Sequence, residues 1–268
     1  EPVTIPPVYG DDSASEASEE ETEAQEAAEG VGARWKVLRL LTWNTNRETD
    51  LQHVVDASKH ADVMCLQEVT NASMEWLRGK LGETFDLLTP ESCGGAWDAE
   101  GHGVAIAVRR RTLEAHAPRL HGMPSEQQRS LMTVRVQVRR SNLSLLVVTA
   151  HLESGADAAE CRQQQLKAVG QALSDDTVDA AVFAADCNLA QGEAVPASAG
   201  LGQDAWTLAG EPPNKRWTWP AASETKAPEQ RFDRIYLQAR RAVAQAGVAD
   251  PQTLELKEGS SLSYLKNN

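Results

Sequence analysis

The sequence predicts an α/β fold of mixed sheets with helices on the outside, and three observations lead there. From Trp35 onward, short β-branched or Leu-rich runs alternate with helical patterns and polar turns. Two of the runs, Leu131 to Arg139 and Leu143 to Ala150, are separated only by the polar turn Arg140 to Asn142, which is a hairpin signal. Hairpins interleaved with helical crossovers require both parallel and antiparallel neighbours, unlike a purely parallel doubly wound sheet. With 41% hydrophobic and 24% charged residues in 268, the chain has enough apolar side chain to build a core and is too apolar to be disordered throughout.

Residues 1 to 33 hold eight Glu, two Asp and no Lys or Arg, in a setting of Ala, Ser and Pro without hydrophobic periodicity. Such a segment cannot bury enough apolar surface to offset chain entropy and is expected to be a disordered acidic tail. Residues 34 to 268 are expected to form one domain. Its strands are predicted at Lys36 to Thr42, Val63 to Gln67, Phe85 to Leu88, Val104 to Val108, Leu131 to Arg139, Leu143 to Ala150, Ala180 to Ala184 and Arg234 to Leu237. Helices are predicted at Leu51 to Lys59, Ser73 to Leu81 and Ala156 to Leu173, the last with apolar positions near helical spacing.

The formal charge of −13 is uneven, because the acidic segment carries −10 of it and the body only −3. The low isoelectric point therefore describes the tail and leaves a basic groove on the body open. No run approaches eighteen apolar residues, so no membrane-spanning helix is expected. Cys65, Cys93, Cys161 and Cys187 lack metal-ligand spacing and are expected to be inert thiols of a reducing compartment. The chain begins at Glu1 with no signal or transit pattern, which suggests an excerpt whose start is missing.

Polar residues recur just where strands end. Asn44 follows Leu-Thr-Trp, Glu68 follows Met-Cys-Leu-Gln, His151 follows Val-Val-Thr-Ala, and Asp186 and Asn188 follow Val-Phe-Ala-Ala. Taken singly each has an ordinary structural reading, since Asn and Asp form turns and a Glu at a strand end faces water. Strand ends along one sheet edge are also where α/β folds assemble sites from residues distant in sequence.

The runs Thr42-Trp43-Asn44, Leu66-Gln67-Glu68-Val69, Thr149-Ala150-His151-Leu152-Glu153-Ser154, Asp186-Cys187-Asn188 and Arg231-Phe232-Asp233-Arg234-Ile235 resemble, in order and spacing, the endonuclease/exonuclease/phosphatase superfamily. The likeness spans about residues 36 to 245. It implies a four-layered α/β sandwich and a metal-dependent phosphoesterase. Within the superfamily, the His-Leu-Glu-Ser, Asp-x-Asn-Leu, Trp217-Thr218-Trp219 and Arg-Phe-Asp-Arg-Ile runs are most similar to the 5′-tyrosyl-DNA phosphodiesterases, which implies removal of topoisomerase II tyrosyl adducts from DNA 5′ ends.

The chemistry gives each residue type a reason to be present. Phosphodiester hydrolysis needs phosphate charge neutralised, and Mg²⁺, or Mn²⁺, does so with one or two protein carboxylates and several waters. Glu68 is the expected metal carboxylate, Asp186 the base or water-orienting group, and Asn188 a phosphate donor, with Asn44 fixing Glu68 and the metal waters. His151 and Ser154 are expected to donate to a non-bridging phosphate oxygen. Trp219 and Phe232 correspond to an apolar wall against the terminal nucleotide. Among the basic runs Arg109-Arg110-Arg111, Arg129, Arg139-Arg140 and Lys215-Arg216, Arg129 is favoured as a substrate contact, because its Arg-Ser-Leu matches the resemblance. A monomer acting on DNA 5′ ends in the nucleus is implied, with the acidic tail free to bind proteins and no membrane involved.

The sequence also departs from that pattern. The superfamily's terminal Ser-Asp-His has no counterpart, since the last histidine is His151. A missing C-terminal strand is therefore expected, leaving Asp233 without the histidine it orients, and losing one such preorganised donor costs ~10² to 10³ in rate. Asn46 stands where the resemblance has Asp, Arg47 where it has a turn Gly, Ala185 for Gly and Ala190 for Arg. Two further readings stay open: another phosphoesterase of the superfamily, or a catalytically dead module that binds DNA ends or a protein.

Overall fold

The computed structural model describes residues 38–139, 143–211, 218 and 229–240. The acidic segment, the hairpin turn Arg140 to Asn142, Lys215-Arg216, Trp217, Trp219 and everything after Arg240 lie outside the described residues. In chain order the main elements are β1 (Leu40–Asn44), α1 (Gln52–Ser58), β2 (Val63–Thr70), α2 (Asn71–Leu81), β3 (Phe85–Leu88), β4 (His102–Arg109), β5 (Leu113–Gly122), β6 (Ser130–Val138), β7 (Ser144–Ala150), α3 (Ala159–Leu173), β8 (Ala180–Asp186), β9 (Gln203–Asp204), α4 (Ala205–Leu208) and β10 (Asp233–Ala239).

These strands form two mixed sheets, a four-stranded one in the order β1-β2-β4-β3 and a six-stranded one in the order β5-β6-β7-β8-β10-β9. In each, one parallel pair (β1 with β2, β7 with β8) adjoins antiparallel neighbours. Each parallel pair has a helix between its strands in sequence, α1 in the first sheet and α3 in the second, and the geometry needs it, because a short turn cannot return the chain to a parallel start.

Burial sorts the side chains into three apolar layers, as two stacked sheets with outer helices require. Val63, Cys65 and Ile106 of the first sheet meet Met132, Val134, Val147 and Val182 of the second between the sheets. Leu51, Val54, Met74 and Leu77 cover the outer face of the first sheet. Leu166, Val169 and Leu173 of α3 cover the outer face of the second, against Val148, Ala181 and Phe183. The architecture is thus helices, sheet, sheet, helix, the four-layered sandwich expected from the resemblance.

Several boundaries have identifiable causes. Helix α2 starts two residues before the expected Ser73, because Thr70 accepts from the Ser73 amide while the Ser73 hydroxyl accepts from the Thr70 amide, a reciprocal cap. Strand β5 had no counterpart in the sequence analysis. It is an edge strand whose register shifts between His116 and Arg119, and Ala117, at φ 47°, sits beside Pro118 within that irregularity. A strand interrupted by Pro is found only where its missing donor is not needed, and the alternation that marks a strand is lost there. The close approach of α3 to the turn Ala197–Ala199 depends on Gly170, where a Cβ would collide with the Ala199 carbonyl oxygen.

All four cysteines are free thiols; Cys65 and Cys187 are buried, whereas Cys93 and Cys161 are only partly covered. Burial pushes the Cys65 thiol up to about 12, which keeps it protonated and inert. Among the described residues no helix is long and apolar enough to cross a membrane.

Candidate active site

Strands β1, β2, β7 and β8 end at one edge of the sandwich, and β10 begins there. Parallel pairing sets Asn44 beside Gln67, so Glu68 follows one residue beyond. In the second sheet His151 bridges Asp186 in parallel fashion just past β7, and antiparallel pairing puts Asp233, the first residue of β10, directly opposite Asp186.

Side-chain geometry joins these ends across the two sheets. The Asn44 amide Nδ2 donates to Asp186 Oδ2 at 2.9 Å and to Glu68 Oε1 at 3.3 Å. His151 lies 3.8 Å from Glu68 Oε1 through Nδ1 and 3.7 Å from Asp186 Oδ2 through Nε2. Arg129 Nη1 donates to His151 Nδ1 at 3.0 Å. Because a guanidinium can only donate, Nδ1 is the acceptor and the imidazole proton sits on Nε2, facing Asp186. The Asp186 carboxylate also accepts from the Asn188 backbone amide at 3.0 Å, while Asn188 Nδ2 donates to the Leu152 carbonyl oxygen at 3.0 Å.

Backbone strain marks two of these positions. Glu68 has φ 52° and Asn188 φ 48°. Glu68 falls within the register shift of β2 against β4 between Leu66 and Val69, where the extra residue turns its side chain out of the strand's alternation and toward Asn44. Non-glycine residues held in this region persist only where the surroundings over-determine them, and they cluster at functional sites.

Burial sets the charge states. The Asp186 carboxyl is raised from its ordinary 3.8, chiefly by burial, against the lowering effect of the Asn44 and Asn188 hydrogen bonds. Asp233 is held well above its ordinary value by burial and by the facing Asp186. Burial and the Arg129 guanidinium push the His151 imidazole down to about 3, so it is neutral near pH 7. Beside this cluster lies a cavity of about 160 Å³ lined by Trp97, Asp98, His102, Leu120, Arg129 and His151. The buried Arg129 Nε has no hydrogen-bond partner among the described residues.

The structure therefore brings Asn44, Glu68, Arg129, His151, Asp186, Asn188 and Asp233 together. Ser154 is linked less directly, because its hydroxyl and amide both donate to Gln127 Oε1, at 2.9 and 3.1 Å, and Gln127 in turn accepts from Arg129. Thr218 Oγ1 accepts from the Phe232 and Asp233 amides at 3.1 and 3.0 Å, which fixes the start of β10. Trp219 lies outside the described residues.

Three supporting residues had no role assigned from the sequence. Gln67, wholly buried, bonds Thr42 Oγ1 and donates to Thr149 Oγ1 at 3.0 Å, tying the first sheet to the second beneath the site. Glu153 accepts from Ser125 Oγ (2.7 Å) and from the Glu126 and Gln127 amides (3.0 and 2.9 Å), folding the loop that carries Arg129. Arg162 forms a bidentate pair with Glu193 at 2.9 and 2.7 Å and donates to the carbonyl oxygens of Glu153 and Gly155. Its signal was its place on the apolar stripe with Leu166, Val169 and Leu173, where a charge implies a buried partner.

The donor set suits a hard divalent ion. One strained carboxylate, flanked by an amide and a second carboxylate, is the kind of site in which Mg²⁺ keeps most of its waters. Among the described residues, no group of three or more His, Cys, Asp or Glu is placed to form an all-protein metal cage.

A two-sheet sandwich carrying Asn, Glu, His and Asp at its strand ends defines a class, the phosphoesterase-type sandwiches with a carboxylate-amide cleft. The chain belongs to the endonuclease/exonuclease/phosphatase family, whose sequence profile matches residues 41–254. It is similar to tyrosyl-DNA phosphodiesterase 2 of Homo sapiens, 29% identical over 239 residues, 82% of this chain and 62% of the relative. The Rattus norvegicus protein of that name is 30% identical over 205 residues, 73% of this chain and 52% of the relative. The chain thus spans about three fifths or less of the length of these relatives. Among solved structures, D. rerio TDP2 complexed with a single-strand DNA product superimposes with a TM-score of 0.64 at 24% identity, over 77% of this chain and 85% of that one. The human Nocturnin catalytic domain does so with 0.56 at 16% identity, over 75% and 82%. These two likenesses concern the fold.

Proposed function

We propose that this protein is a metal-dependent phosphodiesterase that processes DNA 5′ ends by hydrolysing a 5′-phosphotyrosyl bond. The observation that carries the reading is the cross-sheet Asn44 amide shared between Glu68 and Asp186, with His151 in contact distance of both. The similarity to tyrosyl-DNA phosphodiesterase 2 supports the substrate class.

Glu68 would hold Mg²⁺, with Asn44 orienting it, and the ion when bound would supply charge neutralisation at the phosphate. Asp186 is placed to orient or deprotonate a water, and burial raises its basicity toward that task. Asn44 and the Asn188 amide keep it pointed into the cleft. His151, neutral and with its proton on Nε2, is a donor to a non-bridging phosphate oxygen, and Arg129 both fixes that tautomer and presents an unpaired Nε. The exclusion of water by the burial around Asp186 strengthens each of these interactions. The nucleus is the proposed site of action.

The test is Mg²⁺-dependent release of p-nitrophenol from the p-nitrophenyl ester of thymidine 5′-monophosphate. Asp186→Asn, which keeps shape and removes the charge, should lower kcat by ~10² or more, in the range typical for losing a positioned acid-base group. Turnover equal to that of the unaltered chain would overturn the assignment. Absence of turnover in the unaltered chain, with 5′-end DNA binding retained, would replace the enzyme by a binding module.

A further inference from the structure

Arg47 lies in the turn after β1 and has φ 60°, a conformation that favours glycine. The turn itself is pinned: the Thr45 amide donates to the Gln67 carbonyl oxygen at 2.9 Å, and the Asn46 amide donates to Asn44 Oδ1 at 2.8 Å. Arg47 is therefore held in a strained position by its neighbours, and its side chain reaches back over the cleft. Its Nε lies 3.3 Å from Glu68 Oε2 and its Nη1 2.9 Å from Glu100 Oε2. Glu100 Oε2 is in turn 3.2 Å from His102 Nε2.

Both oxygens of the proposed metal carboxylate thus have company. Glu68 Oε1 accepts from Asn44, and Oε2 faces a fixed positive charge. A divalent ion approaching Glu68 meets that charge at a distance where repulsion is only partly screened, since the Debye length is ~8 Å at physiological ionic strength. Glu100, with its side chain largely exposed, already shares the guanidinium and offers it a second seat away from Glu68.

We propose that Arg47 is a resident counter-cation of Glu68 that sets how tightly this protein takes up a divalent metal, with Glu100 as the seat onto which it withdraws when the ion binds. The inference rests on the reading of Glu68 as the metal carboxylate. It makes metal uptake an exchange of cations at one carboxylate, weaker and less salt-sensitive than a vacant carboxylate would give.

The experiment is Mn²⁺ binding to the 268-residue protein, followed by the loss of the free-ion electron paramagnetic resonance signal, without substrate. Arg47→Gly suits the local φ and should fold at least as well as the parent. It should bind Mn²⁺ about three- to tenfold more tightly, because the competing ion pair and a nearby like charge are both removed. The difference should narrow at high salt. Glu100→Gln should weaken binding in the parent and have little effect beside Arg47→Gly, because its influence runs through the guanidinium. Equal Mn²⁺ affinity in the parent and in Arg47→Gly, with binding lost in Glu68→Gln, would overturn the proposal while leaving Glu68 as the metal carboxylate. Undiminished binding in Glu68→Gln would overturn that reading and the proposal with it.

Discussion

Asp186 and Asp233 face each other across an antiparallel pair, both buried, and this is the most costly arrangement of like groups in the site. Because the Asp233 carboxyl is held above its ordinary range, the folded chain binds more protons than the unfolded one. Its contribution to stability is fully present below the ordinary carboxylate value of 3.8 and is lost as pH rises through the raised folded value. Asp233→Asn is therefore expected to melt above the parent at pH 8 by roughly 2–4 °C, the shift that about 1 kcal/mol gives in a domain of this size. The gap should close toward pH 4. Calorimetric melts in a metal chelator at both pH values check it, and a pH-independent gap would contradict the charge argument. At this scale the sequence was informative wherever a polar residue closed an apolar run, as at Asn44, Glu68, His151 and Asp186, although Glu68 sits in a bulge inside β2 and not at its end. It gave no partner to Glu153 or Gln165, whose mutual bonds at 2.8 and 3.1 Å need a folded loop against a helix before either has one.

Elements place those residues, and the loops after β7 and β8 are both held to α3 by Arg162, which is 1% exposed, with Gln165 adding bonds to the first loop and Gln163 one to the second. Arg162→Leu leaves Glu193, itself 11% exposed at the side chain, as an uncompensated buried charge. Breaking such a pair from one side costs ~3–5 kcal/mol, so urea unfolding should show a loss of that order. The double replacement Arg162→Leu with Glu193→Leu should recover a good part of it, and a double variant as unstable as the single one would refute the ion-pair account. Most strands were legible because their apolar runs are buried on both faces, as in Ala180–Asp186, where all seven residues are buried. Strand β5 was not, since Leu113–Gly122 lies at an edge and turns much of its length to solvent. The helix at Ala159–Leu173 begins three residues later than its composition suggests. Its first turn is set by tertiary anchoring through Arg162, with no side-chain cap at Ala158.

Over the whole molecule, charge and architecture are separable. The acidic segment of residues 1–33 supplies −10 of the −13, whereas the proposed chemistry uses only strand ends of the body. Removing residues 1–33 should leave kcat unchanged and tighten single-stranded DNA binding at low salt, an advantage that fades as salt rises. Fluorescence anisotropy at two ionic strengths tests this, and loss of turnover on truncation would assign the segment a part in catalysis. Mixed sheets with outer helices were accessible from the sequence because helical patterns fall between β1 and β2 and between β7 and β8, the two parallel pairs, whereas the four layers were implied by the family resemblance. Which strands share a sheet was not, since that depends on packing between distant segments. One local feature bears on the fate of the entire chain under selection. At φ 52°, position 68 favours glycine, and its carboxylate is largely withdrawn from water. A library sorted for yield or heat resistance alone would therefore drift toward replacing that glutamate, enriching well-behaved proteins that have lost their purpose. Breeding a hardier form of this molecule calls for a screen that scores chemistry and endurance together.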